Sequence, residues 1–189
     1  MRVSQAEKEK SRERIIASAA RLLRERGIEN TSVADVMGDA GLTHGGFYRH
    51  FDNKEAMVCA ALDSAFDQVV ALLDSAGQAS DGKALPGDQT TFGRLYLSEA
   101  HVRFPGGGCP VAALAGDVGR TSEDVRESFA QGVRRVVWGM ARRLPGSKAQ
   151  RKMRAYRQLA MMAGAVAIAR ASDPETAAEV LSACRQPNV

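Results

Sequence analysis

The residues best suited to chemistry crowd into one stretch, "GLTHGGFYRHFDNKEAM", at 41–57. Thr43 offers a hydroxyl at the start of a short helical segment, where free backbone N–H groups favour a phosphate. Gly45 and Gly46 carry no side chains, so the backbone there can lie against base edges. Tyr48, Arg49 and His50 bring groups that reach nucleic-acid backbone or bases. Lys54, at the next helix start, suits a phosphate. Phe47 and Phe51 are four apart on one helical face and are expected to pack inward. Each glycine costs the helix roughly 1 kcal/mol relative to alanine, a cost that close approach to DNA would explain. On the glycines alone, a turn between core helices is the simpler reading.

The surrounding elements read as helices. Over residues 11–26, Ile15, Ile16, Ala19, Ala20, Leu22 and Leu23 recur at helical spacing, and Gly27 follows as a C-cap. Thr31 or Ser32 can cap a short second helix carrying Val33, Val36 and Met37. Gly41 marks a tight turn, and Thr43 caps a third segment over 44–51. Two short helices joined by a tight turn outline a helix-turn-helix. A fourth helix is predicted over 54–75, then a polar, glycine-rich loop over 77–89. Five more helical segments follow, over 90–104, 110–119, 122–144, 148–171 and 173–186, the last with Pro174 at its first position. The expected fold is all-α: a three-helix DNA-binding head at 1–53 and a larger helical body at 54–189, about nine helices in all.

The stretch at 12–62 resembles the N-terminal DNA-binding region of TetR-family transcriptional regulators. Gly41, Leu42, Thr43, Gly45, Phe47, Tyr48, His50, Phe51, Asn53, Lys54 and Glu55 fit the pattern G-[LV]-[ST]-x-G-x-[FL]-Y-x-H-F-x-[NS]-K-E. The resemblance implies phosphate contacts from Thr43, Tyr48, His50 and Lys54, and from Thr31 or Ser32. It places His44, Gly45, Gly46 and Arg49 toward the bases or the groove. It also implies a homodimer on palindromic operator DNA, and a body that binds a small-molecule effector and releases the DNA.

Composition narrows the alternatives. The 189 residues carry a net charge of +4, unevenly spread. Residues 1–55 have ten basic and nine acidic side chains, whereas 128–172 have ten basic and none acidic. The basic run reads as a solvated surface ahead of a second DNA face. Three dispersed cysteines, Cys59, Cys109 and Cys184, make neither a disulfide framework nor a zinc pattern and suit a reducing cytoplasm. The N-terminus has no secretory core. The small-apolar run at 159–169 is too short to span a bilayer, so no membrane association is expected. No metal spacing, catalytic triad, phosphate loop or dinucleotide fingerprint appears. No enzyme activity, metal or cofactor is therefore expected. The rival reading is a helical adaptor that binds protein through the head.

In the body, the last two helices correspond by order to the dimerisation pair of the family. Leu159, Met161, Met162, Ala163, Gly164, Val166, Ala167 and Ile168 would allow close helix approach; an intrachain core is the alternative. Phe66, Phe92, Tyr96, His101, Phe104, Phe129, Val133, Trp138 and Met162 are candidates for an apolar effector pocket with few polar groups. Cys109, after three glycines and before Pro110, is a further candidate. At a helix N-terminus it would favour thiolate and could sense electrophiles or oxidants, or it is a small buried residue at a tight junction.

Overall fold

The computed structural model describes residues 5–78 and 91–185, and every regular element among them is helical. Helix α1 (Gln5–Arg26) begins upstream of the apolar repeat because its first turns are polar and exposed. It stops where Gly27 adopts a φ of +85° and its N–H reaches Leu23 O at 2.8 Å. Helix α2 (Val33–Asp39) opens on a reciprocal cap. Ser32 Oγ accepts from Asp35 N, and Asp35 accepts from Ser32 N. Gly41, at φ +67°, turns the chain. The third segment is a 3-10 helix, His44–Arg49, rather than an α-helix.

Helix α3 (Lys54–Gln78) is the spine of the molecule. By length and composition it could cross a membrane, but it packs on α1 on one side and on α7 (Glu123–Ala141) on the other. The α3–α7 crossing is close because Gly132 faces Phe66; a Cβ there would overlap the Phe66 ring. The predicted loop at 77–89 falls almost wholly outside the described residues.

The segment predicted as one helix over 90–104 is two, α4 (Thr91–Tyr96) and α5 (Glu99–Arg103). Ser98 breaks it: its Oγ donates to Leu95 O and accepts from His101 N, so it caps a new helix instead of continuing the old one. A 3-10 turn, Pro105–Gly107, leads to α6 (Pro110–Val118). Helix α7 ends at Ala141, ahead of the predicted 144, and α8 (Lys148–Ala171) and α9 (Pro174–Arg185) complete the body.

One apolar core joins α1, α2 and α3 to Leu114, Val118 and Val125. A second lies between α3, α4, α7, α8 and α9. Three arginines of the basic run reach α3. Arg135 pairs with Asp63 at 3.2 Å, and Arg142 and Arg143 both reach Asp74 at 2.9 Å. These three tie α7 to its neighbour, while Lys148, Lys152, Arg154 and Arg157 of α8 stay exposed to solvent.

Candidate functional site

The head presents a polar face built by α2 and the 3-10 helix. Ser32, Thr43, His44, Gly45, Tyr48 and Arg49 are exposed on it, and Gly46 and His50 are half-buried. Phe47 and Phe51 anchor the face from below, with their rings stacked at 5.8 Å. Tyr48 stands edge-on to Phe47 and is 70% exposed, which for an aromatic side chain leaves a large surface without a partner in the chain. A Cβ at Gly45 would meet nothing within 4 Å, so no packing inside the protein calls for glycine there.

Two of the expected contacts are placed otherwise. Thr31 is fully buried, its hydroxyl donating to Gly27 O at 2.7 Å, which leaves Ser32 as the exposed hydroxyl at that helix start. Lys54 is half-buried and its ammonium donates to Ile28 O at 2.8 Å, joining the start of α3 to the end of α1. The structure also adds residues that the sequence reading passed over. Lys8 and Arg12, on the early turns of α1, gather with Arg49 around His50. Burial first, and then these three cations, hold the His50 imidazole below its ordinary pKa. Its Nδ1 is enclosed without a hydrogen-bond partner. Arg12 also lies 4.6 Å over the Phe51 ring. The face is therefore locally basic although residues 1–55 are nearly neutral overall.

A cavity of about 330 Å³ lies between α3, α4, α5 and the segment leading to α6. Phe92, Tyr96, His101, Phe104 and Cys109 line it, together with Gln68, Val69, Leu72 and Leu95. The other five pocket candidates lie elsewhere, for packing reasons. Phe66 and Phe129 meet edge-on at 5.4 Å in the α3–α7 crossing. Val133 packs against the second core, and Met162 is wholly inside it. Trp138 is 62% exposed, with the Arg142 guanidinium 4.1 Å above its ring.

A polar frame backs the cavity. His101 Nδ1 lies 2.6 Å from Tyr96 O, and its Nε2 accepts from Cys109 N–H at 2.9 Å. That pattern fixes the neutral ring with its proton on Nδ1. Two arginines, Arg24 buried and Arg170 half-buried, hold the carbonyls of the segment. Arg24 of α1 donates to Gly108 O at 2.7 Å and to Gln68 Oε1 at 3.1 Å. Arg170 of α8 donates to His101 O at 2.6 Å. Among the described residues neither forms an ion pair, and burial lowers the pKa of Arg24 to about 10. Burial lowers that of Arg170 as well.

Of the two readings of Cys109, the structure shows the small buried residue at a tight junction and not the accessible, activated thiol. It is 3% exposed, and burial pushes its thiol pKa up. The Tyr96 hydroxyl, the N–H groups of Val111 and Ala112, and Arg24 oppose this only in part. The Tyr96 hydroxyl is itself buried beside the thiol, without a hydrogen bond of ordinary geometry. Desolvation outweighs the helix terminus here.

Head and cavity share parts. Cys109 caps α6 at the cavity, and Asp117, near the other end of α6, accepts from Ile28 N at 2.9 Å just past α1. Arg24 ties α1 directly to the cavity wall.

A basic, glycine-backed helix-turn-helix face on an all-helical body defines a class of transcriptional regulator, and comparison with known proteins agrees. Residues 15–61 match the bacterial regulatory proteins of the tetR family. An HTH-type transcriptional regulator of Mycobacterium tuberculosis is 33% identical over 127 residues, 67% of this chain and 61% of that protein. The chain thus matches less than two thirds of the length of that relative. TtgR of Pseudomonas putida, an HTH-type transcriptional regulator, is 41% identical over 64 residues, 34% of this chain and 30% of that protein. In fold, a TetR-family regulator from Cytophaga hutchinsonii superposes with a TM-score of 0.73 at 22% identity, covering 98% of this chain and 95% of that one. The reduced form of E. coli NemR gives 0.71 at 22% identity, covering 92% and 94%. The head of the chain thus carries the DNA-binding region of the TetR family of transcriptional regulators, on a body with the fold of that family's solved structures.

Proposed function

We propose that the protein is a ligand-responsive repressor that binds palindromic operator DNA as a homodimer and leaves it when a small molecule fills the cavity. The head, residues 1–53, docks its 3-10 helix in the major groove, and the body, 54–189, senses the effector. The observation that carries this reading is the exposure of Ser32, Thr43, His44, Tyr48 and Arg49 on the helix-turn-helix, together with a Gly45 that nothing in the chain crowds. Each hydroxyl or cation suits a phosphate or base edge, and the bare backbone allows close approach.

Release follows from the shared parts. A ligand that displaces α3 at Val69 and Leu72 or shifts the Gly108–Cys109 wall also moves Arg24, Asp117 and Lys54, which position α1 and the head. The ligand favours the released state only as far as it binds that state more tightly. Such a protein would act in the bacterial cytoplasm.

The test is fluorescence anisotropy with DNA from the protein's own upstream region, against a shuffled fragment, at two salt concentrations. Wild type should bind the native fragment selectively. Tyr48→Ala and Gly45→Ala change exposed positions and should keep the fold. Each should weaken specific binding by about tenfold or more, the scale of one good contact. Unchanged binding by both variants would remove the 3-10 helix from the interface. Failure of wild type to prefer the native fragment would return weight to the protein-adaptor reading.

A further inference from the structure

The hydrogen-bonding capacity around the cavity is one-sided. Six acceptors on the described lining already have a donor against them. Gln68 Oε1 and Gly108 O accept from Arg24, His101 O accepts from Arg170, and Tyr96 O lies against His101 Nδ1. His101 Nε2 is taken by Cys109 N–H, and Ser98 Oγ by His101 N. On the donor side stand the buried Tyr96 hydroxyl, which lies beside the Cys109 thiol without a hydrogen bond of ordinary geometry, and the amide N–H2 of Gln68. The described lining contains no carboxylate and is otherwise mostly apolar. Two guanidiniums without carboxylate partners stand behind it, so the inner wall lies in a positive field.

We infer that the cavity takes an amphipathic anion, with an apolar body against Leu72, Phe92 and Phe104 and one carboxylate-class group beside the Tyr96 hydroxyl. This rests on the reading of the cavity as the effector site and names the chemistry of the effector. The arginines act on the ligand through the field and through Gln68; Tyr96 and Gln68 supply the contacts. A neutral acceptor would gain the hydrogen bond without the field, and a cation would meet both the field and the donors unfavourably.

The probes are decanoate, decanamide and decylammonium, titrated calorimetrically into the full-length protein below their aggregation limits. Decanoate should bind about tenfold tighter than decanamide, because a charged acceptor strengthens the hydrogen bond, and decylammonium should bind weakest. Tyr96→Phe should narrow the gap between carboxylate and amide. Gln68→Glu, at an exposed position that does not threaten folding, should pair with Arg24 and weaken decanoate by about tenfold relative to wild type. Equal binding of acid and amide, preference for the ammonium, or no binding of any probe would overturn the assignment. The same samples are assayed on the upstream DNA. Decanoate bound without loss of DNA affinity would leave the ligand class standing and remove the effector role. Intact DNA binding with no probe bound would remove the ligand class alone.

Discussion

His101 holds a single protonation state because both ring nitrogens are engaged by backbone, one at Tyr96 O and one at Cys109 N–H. Protonating Nε2 would set two N–H groups against each other and break the Cys109 contact. Burial, opposed in part by the Tyr96 carbonyl and reinforced by Arg170 and Arg24, lowers its pKa. The sign of the consequence is fixed. In the unfolded chain the imidazole takes up a proton near pH 6.5, before the folded one does, so acidification through that value favours unfolding. The melting temperature should therefore fall between pH 7.5 and 5.5. His101→Gln has no proton to gain and should lose less, with His50, shifted the same way, leaving a residual slope. Carboxylates such as Asp74, held below their usual range by Arg143, titrate beneath this window. Thermal unfolding at the two pH values checks the claim, and equal losses in both proteins would exclude His101. At this scale the sequence was legible where exposure decides: Tyr48, Arg49 and Thr43 stand where their types suggested. It misled where burial decides. Thr31 and Ser32 are equally good caps on paper, and only packing turns Thr31 inward. For Cys109 the two readings differed only in burial, and loss of water outweighs the helix terminus.

Among the elements, α3 and α7 show how two glycines in one chain have opposite meanings. A Cβ at Gly132 would overlap Phe66, which is fully buried and held edge-on by Phe129, so the ring has little room to yield. Alanine gains roughly 1 kcal/mol of helix propensity, while overpacking a core costs about 1–3 kcal/mol or more. Gly132→Ala should therefore lower stability by up to about 2 kcal/mol net, read as a lower urea midpoint at unchanged slope. An unchanged midpoint would mean that Phe66 relocates freely. The sequence pattern does not separate Gly132 from Gly45, since both lie within helical segments and only the neighbouring element distinguishes them. Helices with a clear apolar period and a cap, such as α8 and α9, were legible to within a residue or two. The early turns of α1 were missed because they are polar all round. The α4–α5 break was missed because Ser98 reads equally as a helix interior residue or as a cap. The cavity was half legible for the same reason: aromatics mark a core, and topology alone decides which of them border a space.

For the whole molecule, the proposed operator binding needs two heads, and the outward face of α8 is the surface proposed to join them. Its predicted contact stripe divides in the fold. Leu159, Met162, Ala163 and Val166 turn into the chain's own core, while Ala167 and Ile168 face outward and Gly164 is half-buried. Met153, Tyr156, Ala160 and Ala171 extend the outward face at helical spacing. Ile168 and Met153 are 51% and 55% exposed, and a Cβ on Gly164 would touch nothing within 4 Å. Small residues flanked by large apolar ones permit close approach of a second α8, and a twofold pairing would put like residues together. A single head with few phosphate contacts binds weakly at physiological salt. Joining two makes the second contact intramolecular, worth about 100-fold or more in affinity. Ile168→Glu places a charge on this face without disturbing the core. In sedimentation velocity it should run as a monomer at concentrations where wild type is dimeric. Its affinity for a full palindrome should fall by about 100-fold, toward its affinity for a half-site, which should stay unchanged. A variant that remains dimeric and binds the palindrome like wild type would place the interface elsewhere. A monomer that still binds the palindrome tightly would mean that the heads act singly, and the proposed dimeric docking would fall with it.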